Sequence, residues 1–234
     1  MTTIKVMSGG APKEVFGRLT PSFEATSGHT AAYSFAVMSA LRDRIAGGEQ
    51  ADVLVMPTNI LDAYEAGGTV RRQGRGVLGL VSVNAVVRTG APMPDLSSVD
   101  AVKRTMLASR AIVFATPGAT PSGTHMGKLI EQLGIGGAMT GKIIHRPALE
   151  GGVQLVASGE AEIGFYPKSE VINTDGLALA GPLPAAIQLT TIYGAAVTAA
   201  SAAPVAAAAF IAFMRDPAHR AVWAHGGFDP PPAA

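Results

Sequence analysis

Cysteine is absent from the 234-residue chain, which excludes disulfide bonds, thiolate metal sites and cysteine nucleophiles. Charged residues make up only 15% of the chain, and the net charge of +1 comes without basic runs, so no nucleic-acid surface is expected. Aromatic residues make up 6%, too few for platforms that stack on bases. What remains is a globular chain, 48% hydrophobic, with ample material for a core.

Long apolar runs are also lacking. The longest apolar stretch, residues 195–213, is interrupted by Thr198, Ser201 and Pro204, whereas a membrane span needs roughly 18 apolar residues. The N-terminal residues show no basic segment followed by an apolar one, as a secretory signal would. We therefore expect no membrane span. A periplasmic location is expected if a leader was removed, and a cytoplasmic one if the chain is native as written.

Short apolar runs alternate with helical patterns along the chain, which is typical of α/β architecture. A helix is predicted over residues 12–26, and Pro21 is expected to kink or break it. A second helix is predicted over residues 38–46, where Gly47 and Gly48 stop it. Buried strands are predicted at residues 53–56 and 111–115, and further strands at residues 4–7, 163–166 and 190–197.

Four segments resemble one known family in their order and spacing. They are GEQADVLVMPT (48–58), TPGATPSGTHMGKLIEQLG (116–134), EGGVQLVASGEAEIGFYPKSE (150–170) and AFIAFMRDPAHRAVWAHGGF (209–228). The chain resembles the type II periplasmic solute-binding proteins, and within them the molybdate-binding group, over nearly its whole length. The resemblance implies two α/β lobes with a ligand cleft between them and two crossover hinge strands. Lobe 1 would comprise residues 1–82 plus 188–234, and lobe 2, inserted into it, residues 83–187.

The segment SGGAP (8–12) is a glycine-rich turn between a predicted strand and a helix. Such turns present bare N–H groups to anions, although the two glycines can also serve only tight packing. The resemblance implies an anion held by hydroxyls and helix N-termini in the cleft. The candidate ligand-binding residues are Ser8, Gly9, Gly10, Ala11, Met38, Ser39, Thr58, Thr120, Ser122, Gly123, Thr124, His125, Glu150, Gly151, Tyr166 and Lys168.

Three positions depart from the family pattern. Ala11, Met38 and Pro167 stand where the molybdate-binding group has hydroxyl-bearing residues, so molybdate is not the expected ligand. Lys168 can pair with a carboxylate as a point charge or remain a solvated loop lysine. His125, in the first turn of a helix, is either a neutral donor or proton carrier, or a surface or capping histidine. Met38 either faces the cleft or fills the core.

Two functions from different classes follow. The first is a solute-binding protein for a small anion, an organic carboxylate or an oxyanion, that delivers its ligand to an ABC permease. The second is an isomerase of an unsaturated di- or tricarboxylate such as aconitate, for which His125 is the candidate catalytic residue. Neither hypothesis calls for a cofactor. No metal site is expected, because His145, His219 and His225 lack metal-ligand spacing.

Overall fold

The computed structural model describes residues 1–147 and 151–231, which form two compact units. Unit 1 comprises Met1–Val81 and the described residues from Thr191 onwards, and unit 2 comprises Ser82–Thr190. The strands are β1 (Thr3–Ser8), β2 (Thr30–Phe35), β3 (Val53–Pro57), β4 (Gly76–Arg88), β5 (Ile112–Ala115), β6 (Ile143–Arg146), β7 (Ile163–Pro167), β8 (Leu177–Pro182) and β9 (Thr190–Val197). The helices are α1 (Lys13–Ser27), α2 (Met38–Ala46), α3 (Thr58–Ala66), α4 (Val99–Ala108), α5 (Pro121–Gln132), α6 (Gly152–Ser158), α7 (Lys168–Val171), α8 (Pro204–Met214) and α9 (Arg220–His225).

Unit 1 is built around a sheet in the order β2-β1-β3-β9. Strand β1 pairs in parallel with β2 and β3, while β9 runs antiparallel to β3. Helices α1, α8 and α9 pack on one face through Phe16, Phe210 and Trp223, and α2 and α3 pack on the other through Leu41 and Leu61. Both faces of β3 are therefore covered, which explains why its sequence is apolar throughout.

A buried aspartate at the beginning of β3 ties three parts of unit 1 together. The Asp52 carboxylate accepts a hydrogen bond from the Lys5 backbone N–H (2.9 Å) and another from the Ser201 hydroxyl (2.7 Å). Its backbone carbonyl accepts from the Thr198 N–H (3.0 Å). A buried carboxylate needs such partners, so the acidic residue of the segment GEQADVLVMPT has a structural role here.

Unit 2 has its own sheet, in which β5 pairs in parallel with β6 and β7. Strand β4 runs antiparallel to both β7 and β8. Helices α4 and α5 pack on one face through Met106 and Met126, and α6 and α7 pack on the other through Val156 and Val171. Each unit is thus a sheet covered by helices on both sides, in agreement with the predicted α/β class.

Of the two effects expected at Pro21, a kink or a break, the break is wrong, because α1 continues through this residue from Lys13 to Ser27. Proline removes the N–H that would bond the carbonyl of Gly17. Both Pro21 and Gly17 are exposed, so water can solvate that carbonyl. The helix instead ends at Gly28, which adopts a left-handed conformation (φ 69°) and donates its N–H to the Glu24 carbonyl.

No helix within residues 1–147 and 151–231 is long and apolar enough to cross a membrane.

Candidate functional site

The carboxyl ends of three parallel strands meet at one edge of the unit 1 sheet, and each strand leads into a helix. Strands β1, β2 and β3 are followed by α1, α2 and α3. No described side chain caps the N-terminus of any of these three helices. The first N–H groups of a helix lack partners within the helix and carry a partial positive charge. This edge therefore offers several anion-binding donors in the place where open α/β sheets bind ligands.

The turn after β1 uses some of its polar groups internally. The fully buried Ser8 hydroxyl donates to the Gly9 carbonyl (2.8 Å), and the Gly9 N–H donates to the Val55 carbonyl (3.2 Å). The Gly10 carbonyl accepts from the Lys13 N–H (3.0 Å). Among the predicted residues of this turn, Gly10 and Ala11 have N–H groups without a hydrogen-bond partner in the described part of the chain, and these are the donors for a ligand.

Two side chains from other elements converge on Gly9. A Cβ atom placed on Gly9 would lie 2.6 Å from the Met38 Cε atom and 3.5 Å from the Tyr193 hydroxyl oxygen. Tyr193 is paired with Pro57 in the β9–β3 register, which places it at the carboxyl end of β3. A Cβ atom on the next residue, Gly194, would lie 3.1 Å from Thr58 Cγ2. The structure thus brings the predicted residues Gly9, Met38 and Thr58 together around the middle of β9.

Sequence reasoning missed Tyr193. The predicted strand at residues 190–197 was correct, but a strand prediction does not say which strand it pairs with. The antiparallel pairing with the apolar β3 places Tyr193 beside Pro57, at the carboxyl end of β3, which is the edge of the unit 1 sheet described above.

The N-cap and first turn of α5 hold four predicted residues of unit 2, and much of their hydrogen bonding is internal. Thr120 caps the helix, because its hydroxyl accepts from the Gly123 N–H (3.0 Å). The Thr124 hydroxyl donates to the Thr120 carbonyl and accepts from the Gly118 N–H, both at 2.9 Å. The buried Ser122 hydroxyl lies 3.1 Å from that of Thr120 and retains capacity for one more bond. Of these hydroxyls, Ser122 is the one best able to meet a ligand.

His125 follows Thr124 in α5, and one of its two ring nitrogens already makes a hydrogen bond. Its Nε2 atom lies 2.9 Å from the Ile187 carbonyl oxygen. A carbonyl only accepts, so Nε2 carries the proton and donates. The Nδ1 atom of the neutral ring then has a free lone pair, which is the state that a proton acceptor requires.

The end of β7 and the start of α7 hold three buried polar atoms without a hydrogen-bond partner among the described residues: the Tyr166 hydroxyl, the Ser169 hydroxyl and Oε2 of Glu170. Tyr166 lies in the core with its hydroxyl against Gly152. Burial raises the pKa of Tyr166, the charge of Glu170 adds to the rise, and Arg146 opposes it. Burial also raises the pKa of Glu170 to about 8. Glu170 is therefore mostly an uncharged acid at neutral pH.

The remaining predicted residues are placed as follows. Ser39 lies half-buried in the first turn of α2, and Lys168, also half-buried, is the first residue of α7. Gly151 precedes α6 in a left-handed conformation (φ 71°). Glu150 lies outside the described residues. Among the residues that the structure does describe, no group of three or more His, Asp or Glu side chains is arranged to hold a metal ion.

These two helix-covered sheets define the fold as that of the type II periplasmic binding proteins. It superimposes on the periplasmic molybdate-binding protein of Azotobacter vinelandii with a TM-score of 0.81, at 18% identity, covering 97% of this chain and 99% of that one. The sulfate-binding protein of Mycobacterium tuberculosis H37Rv gives a TM-score of 0.78 at 19% identity, covering 98% of this chain and 87% of that one.

The chain belongs to the bacterial extracellular solute-binding protein family, whose sequence profile matches residues 4–229. It is also similar to an aconitate isomerase from Pseudomonas sp., with 29% identity over 239 residues that cover 100% of this chain and 90% of that protein. The resemblance inferred from the four sequence segments is confirmed, as is the type II fold. The hinge and the interlobe cleft stay predictions.

Proposed function

We propose that the protein is a receptor for a small organic carboxylate and that molybdate is not its ligand. The observation that carries this proposal is the edge of unit 1, where three uncapped helix N-termini meet beside the Met38 methyl group. Backbone N–H groups bind an anion of any shape. The side chains around them decide which anion fits.

A carboxylate suits these side chains better than a tetrahedral oxyanion does. Molybdate presents oxygen atoms in every direction, so each side of it needs a donor. A carboxylate has two oxygens on one side and a carbon on the other, and that carbon can lie against an apolar group. Met38 packs in the core with Leu41 and brings its methyl group to Gly9, next to the N–H donors of Gly10 and Ala11, whereas the Ala11 methyl packs in the core of unit 1.

Unit 2 adds donors that suit the same ligand class. We propose that the Ser122 hydroxyl and the Lys168 ammonium group bind a second carboxylate, with Lys168 acting as a point charge. As a member of an extracellular solute-binding family, the protein would act outside the cytoplasm and pass its ligand to an ABC permease.

Isothermal titration calorimetry with tricarballylate, citrate, succinate, sulfate and molybdate tests this function. We expect one or more carboxylates to bind and molybdate to bind far more weakly. A thermal-shift screen gives an independent readout, because a ligand at 100 times its Kd adds about 2.7 kcal/mol of stability. Tight molybdate binding together with no carboxylate binding would show the proposal to be wrong.

A second function is favoured by the similarity to the aconitate isomerase. To isomerise an unsaturated tricarboxylate, a base removes a proton from the carbon next to a carboxylate, and the proton returns at the far end of the resulting allylic anion. The double bond moves and the atomic composition is unchanged. His125 is the group that we propose as the base, because in the neutral ring the Nε2 bond to Ile187 fixes the tautomer in which Nδ1 carries the lone pair. Proton exchange of aconitate in heavy water, followed by NMR, tests for this activity.

A further inference from the structure

Tyr193 occupies an unusual position for a tyrosine in a covered sheet. Its side chain is only 7% exposed, yet it lies at the carboxyl end of β3 rather than in the middle of the sheet. Its hydroxyl reaches the turn after β1, where it lies near Gly9 and the Met38 methyl group. A tyrosine placed in this way has an apolar body in the core and a polar end at the candidate edge.

Aromatic packing fixes the direction of this side chain. The Tyr193 ring meets the Phe228 ring edge-on, with centroids 5.9 Å apart and planes at 76°. Phe228 is itself almost fully buried, and its backbone N–H donates a hydrogen bond to the Trp223 carbonyl (3.0 Å). A ring held in this way presents its hydroxyl in one place, so a hydrogen bond from it to a ligand requires little ordering.

We propose that Tyr193 is a ligand-binding residue whose hydroxyl donates to a ligand carboxylate, with the Met38 methyl group against the adjacent carbon. This inference rests on the proposed carboxylate function and deepens it. Ala11 and Met38 bring no hydroxyl to the first two helix starts, and Tyr193 supplies one from a different strand. The Tyr193–Met38 pair therefore selects an anion that has both oxygen atoms and a carbon skeleton.

The absence of a side chain at Gly9 is part of the same arrangement. A Cβ atom there would meet the Met38 Cε atom at 2.6 Å, which is too close, and the flexible methionine would have to move. The glycine thus leaves room for the methyl group beside the Tyr193 hydroxyl. We expect Gly9→Ala to displace Met38 and to weaken carboxylate binding while the fold is retained.

Calorimetry with tricarballylate tests the proposal, because this saturated tricarboxylate has no double bond to isomerise. Tyr193→Phe keeps the ring on Phe228 and removes only the hydroxyl. Because a hydrogen bond to a charged group contributes substantially to the free energy of binding, its loss should weaken tricarballylate binding about 10- to 150-fold. Tyr33→Phe is the matched control, because the Tyr33 hydroxyl bonds Thr20 in another part of unit 1, and its affinity should equal that of the wild type.

A second variant tests the selectivity and does not depend on how Tyr193→Phe folds. Met38→Ser replaces the methyl group by a hydroxyl at the start of α2. The ratio of sulfate to tricarballylate affinity should rise at least tenfold. Circular dichroism spectra and melting curves of all variants establish that they are folded.

The outcomes separate this inference from the proposed function. If the wild type binds tricarballylate and Tyr193→Phe binds it equally well, the assignment of Tyr193 is wrong and the carboxylate function stands. An unchanged sulfate-to-tricarballylate ratio in Met38→Ser would refute the role of the methyl group. If the wild type binds sulfate or molybdate but no carboxylate, both the function and the inference are overturned.

Discussion

The hydroxyl oxygen of Tyr166 lies so close to Gly152 that a Cβ atom at residue 152 would overlap it. Gly152→Ala should destabilise the protein by about 1–3 kcal/mol, because the buried ring cannot move aside. In a Tyr166→Phe background the nearest clashing atom is gone, so most of this cost should disappear. Urea unfolding of the two single variants and the double variant measures this coupling.

Two controls accompany that cycle. Tyr166→Phe alone should leave stability unchanged or raise it, because the hydroxyl has no partner among the described residues. Gly17→Ala in α1 should stabilise by about 0.5–1 kcal/mol, because no described atom lies within 4 Å of its new Cβ and alanine favours the helix. Additive costs for Gly152→Ala and Tyr166→Phe would contradict the proposed steric origin.

Glu170 should make the protein less stable as the pH rises. Its pKa is about 8 in the folded protein against an ordinary value of 4.5, so the folded state resists losing the proton. The associated stability is fully present below about pH 4.5, is lost progressively as the pH rises towards 8, and is gone above 8. Glu170→Gln should therefore change the stability little at pH 5. At pH 8 and above it should raise the free energy of unfolding most, by an amount on the order of a few kcal/mol, and the melting temperature should rise with it.

Melting curves of wild type and Glu170→Gln from pH 5 to pH 9 measure this difference. Tyr166, whose pKa responds to the charges of Glu170 and Arg146, and Lys168, which lies on the same helix as Glu170, are present in both proteins. Glu160→Gln, at an exposed position one turn before β7, serves as the control and should show no such trend. A constant difference across the whole pH range would refute the prediction.

Gly123 holds α5 close to β5, because a Cβ atom there would overlap the backbone carbonyl of Ala115. Backbone cannot move aside as a flexible side chain can, so Gly123→Ala should cost about 1–3 kcal/mol and shift Ser122. Gly127→Ala, one turn later on the same helix, meets the Pro117 ring, with its Cγ at 3.2 Å and its Cβ at 3.6 Å, and should cost less. Thermal unfolding gives the stability difference, and tricarballylate affinity should fall only in Gly123→Ala.

His125→Ala separates a receptor from an isomerase. The variant loses the bond to the Ile187 carbonyl in either case, which should cost about 0.5–1.5 kcal/mol of stability. If the protein isomerises aconitate, turnover should also fall about 10²- to 10⁴-fold, because the imidazole carries the proton. Aconitate proton exchange in heavy water measures turnover, and exchange that survives in the variant would place the base elsewhere.

Local signals predicted much of the fold. The helix predicted over residues 38–46 has those bounds in the structure, because it ends at the first of two glycines. The strand predicted over residues 53–56 is extended by one residue in the structure, and its continuous apolar run reflects helices on both faces. Such signals lie within the segment itself, and so a single sequence contains them.

Other features depend on partners far away in the chain. The position of Tyr193 follows from the β9–β3 register, which no local pattern encodes. The burial of the Glu170 carboxyl group depends on what packs over α7, although acidic side chains are usually exposed. The break predicted at Pro21 does not occur, because the effect of a proline on a helix depends on whether water can solvate the carbonyl group that it leaves without a partner. The candidate site was therefore predicted as a set of chain segments, while its side-chain composition required the structure.

The uncapped helix starts of unit 1 have a consequence for how such a protein diversifies. Backbone N–H groups persist whichever residues occupy a position, proline excepted, so if this edge binds an anion as we propose, single substitutions should rarely abolish its affinity for negative charge. Substitutions at positions such as 11, 38 and 193 should then alter the preferred anion one step at a time, without passing through a variant that binds nothing. The same property would make unit 1 a starting point for engineering receptors towards chosen organic acids by changing a handful of side chains.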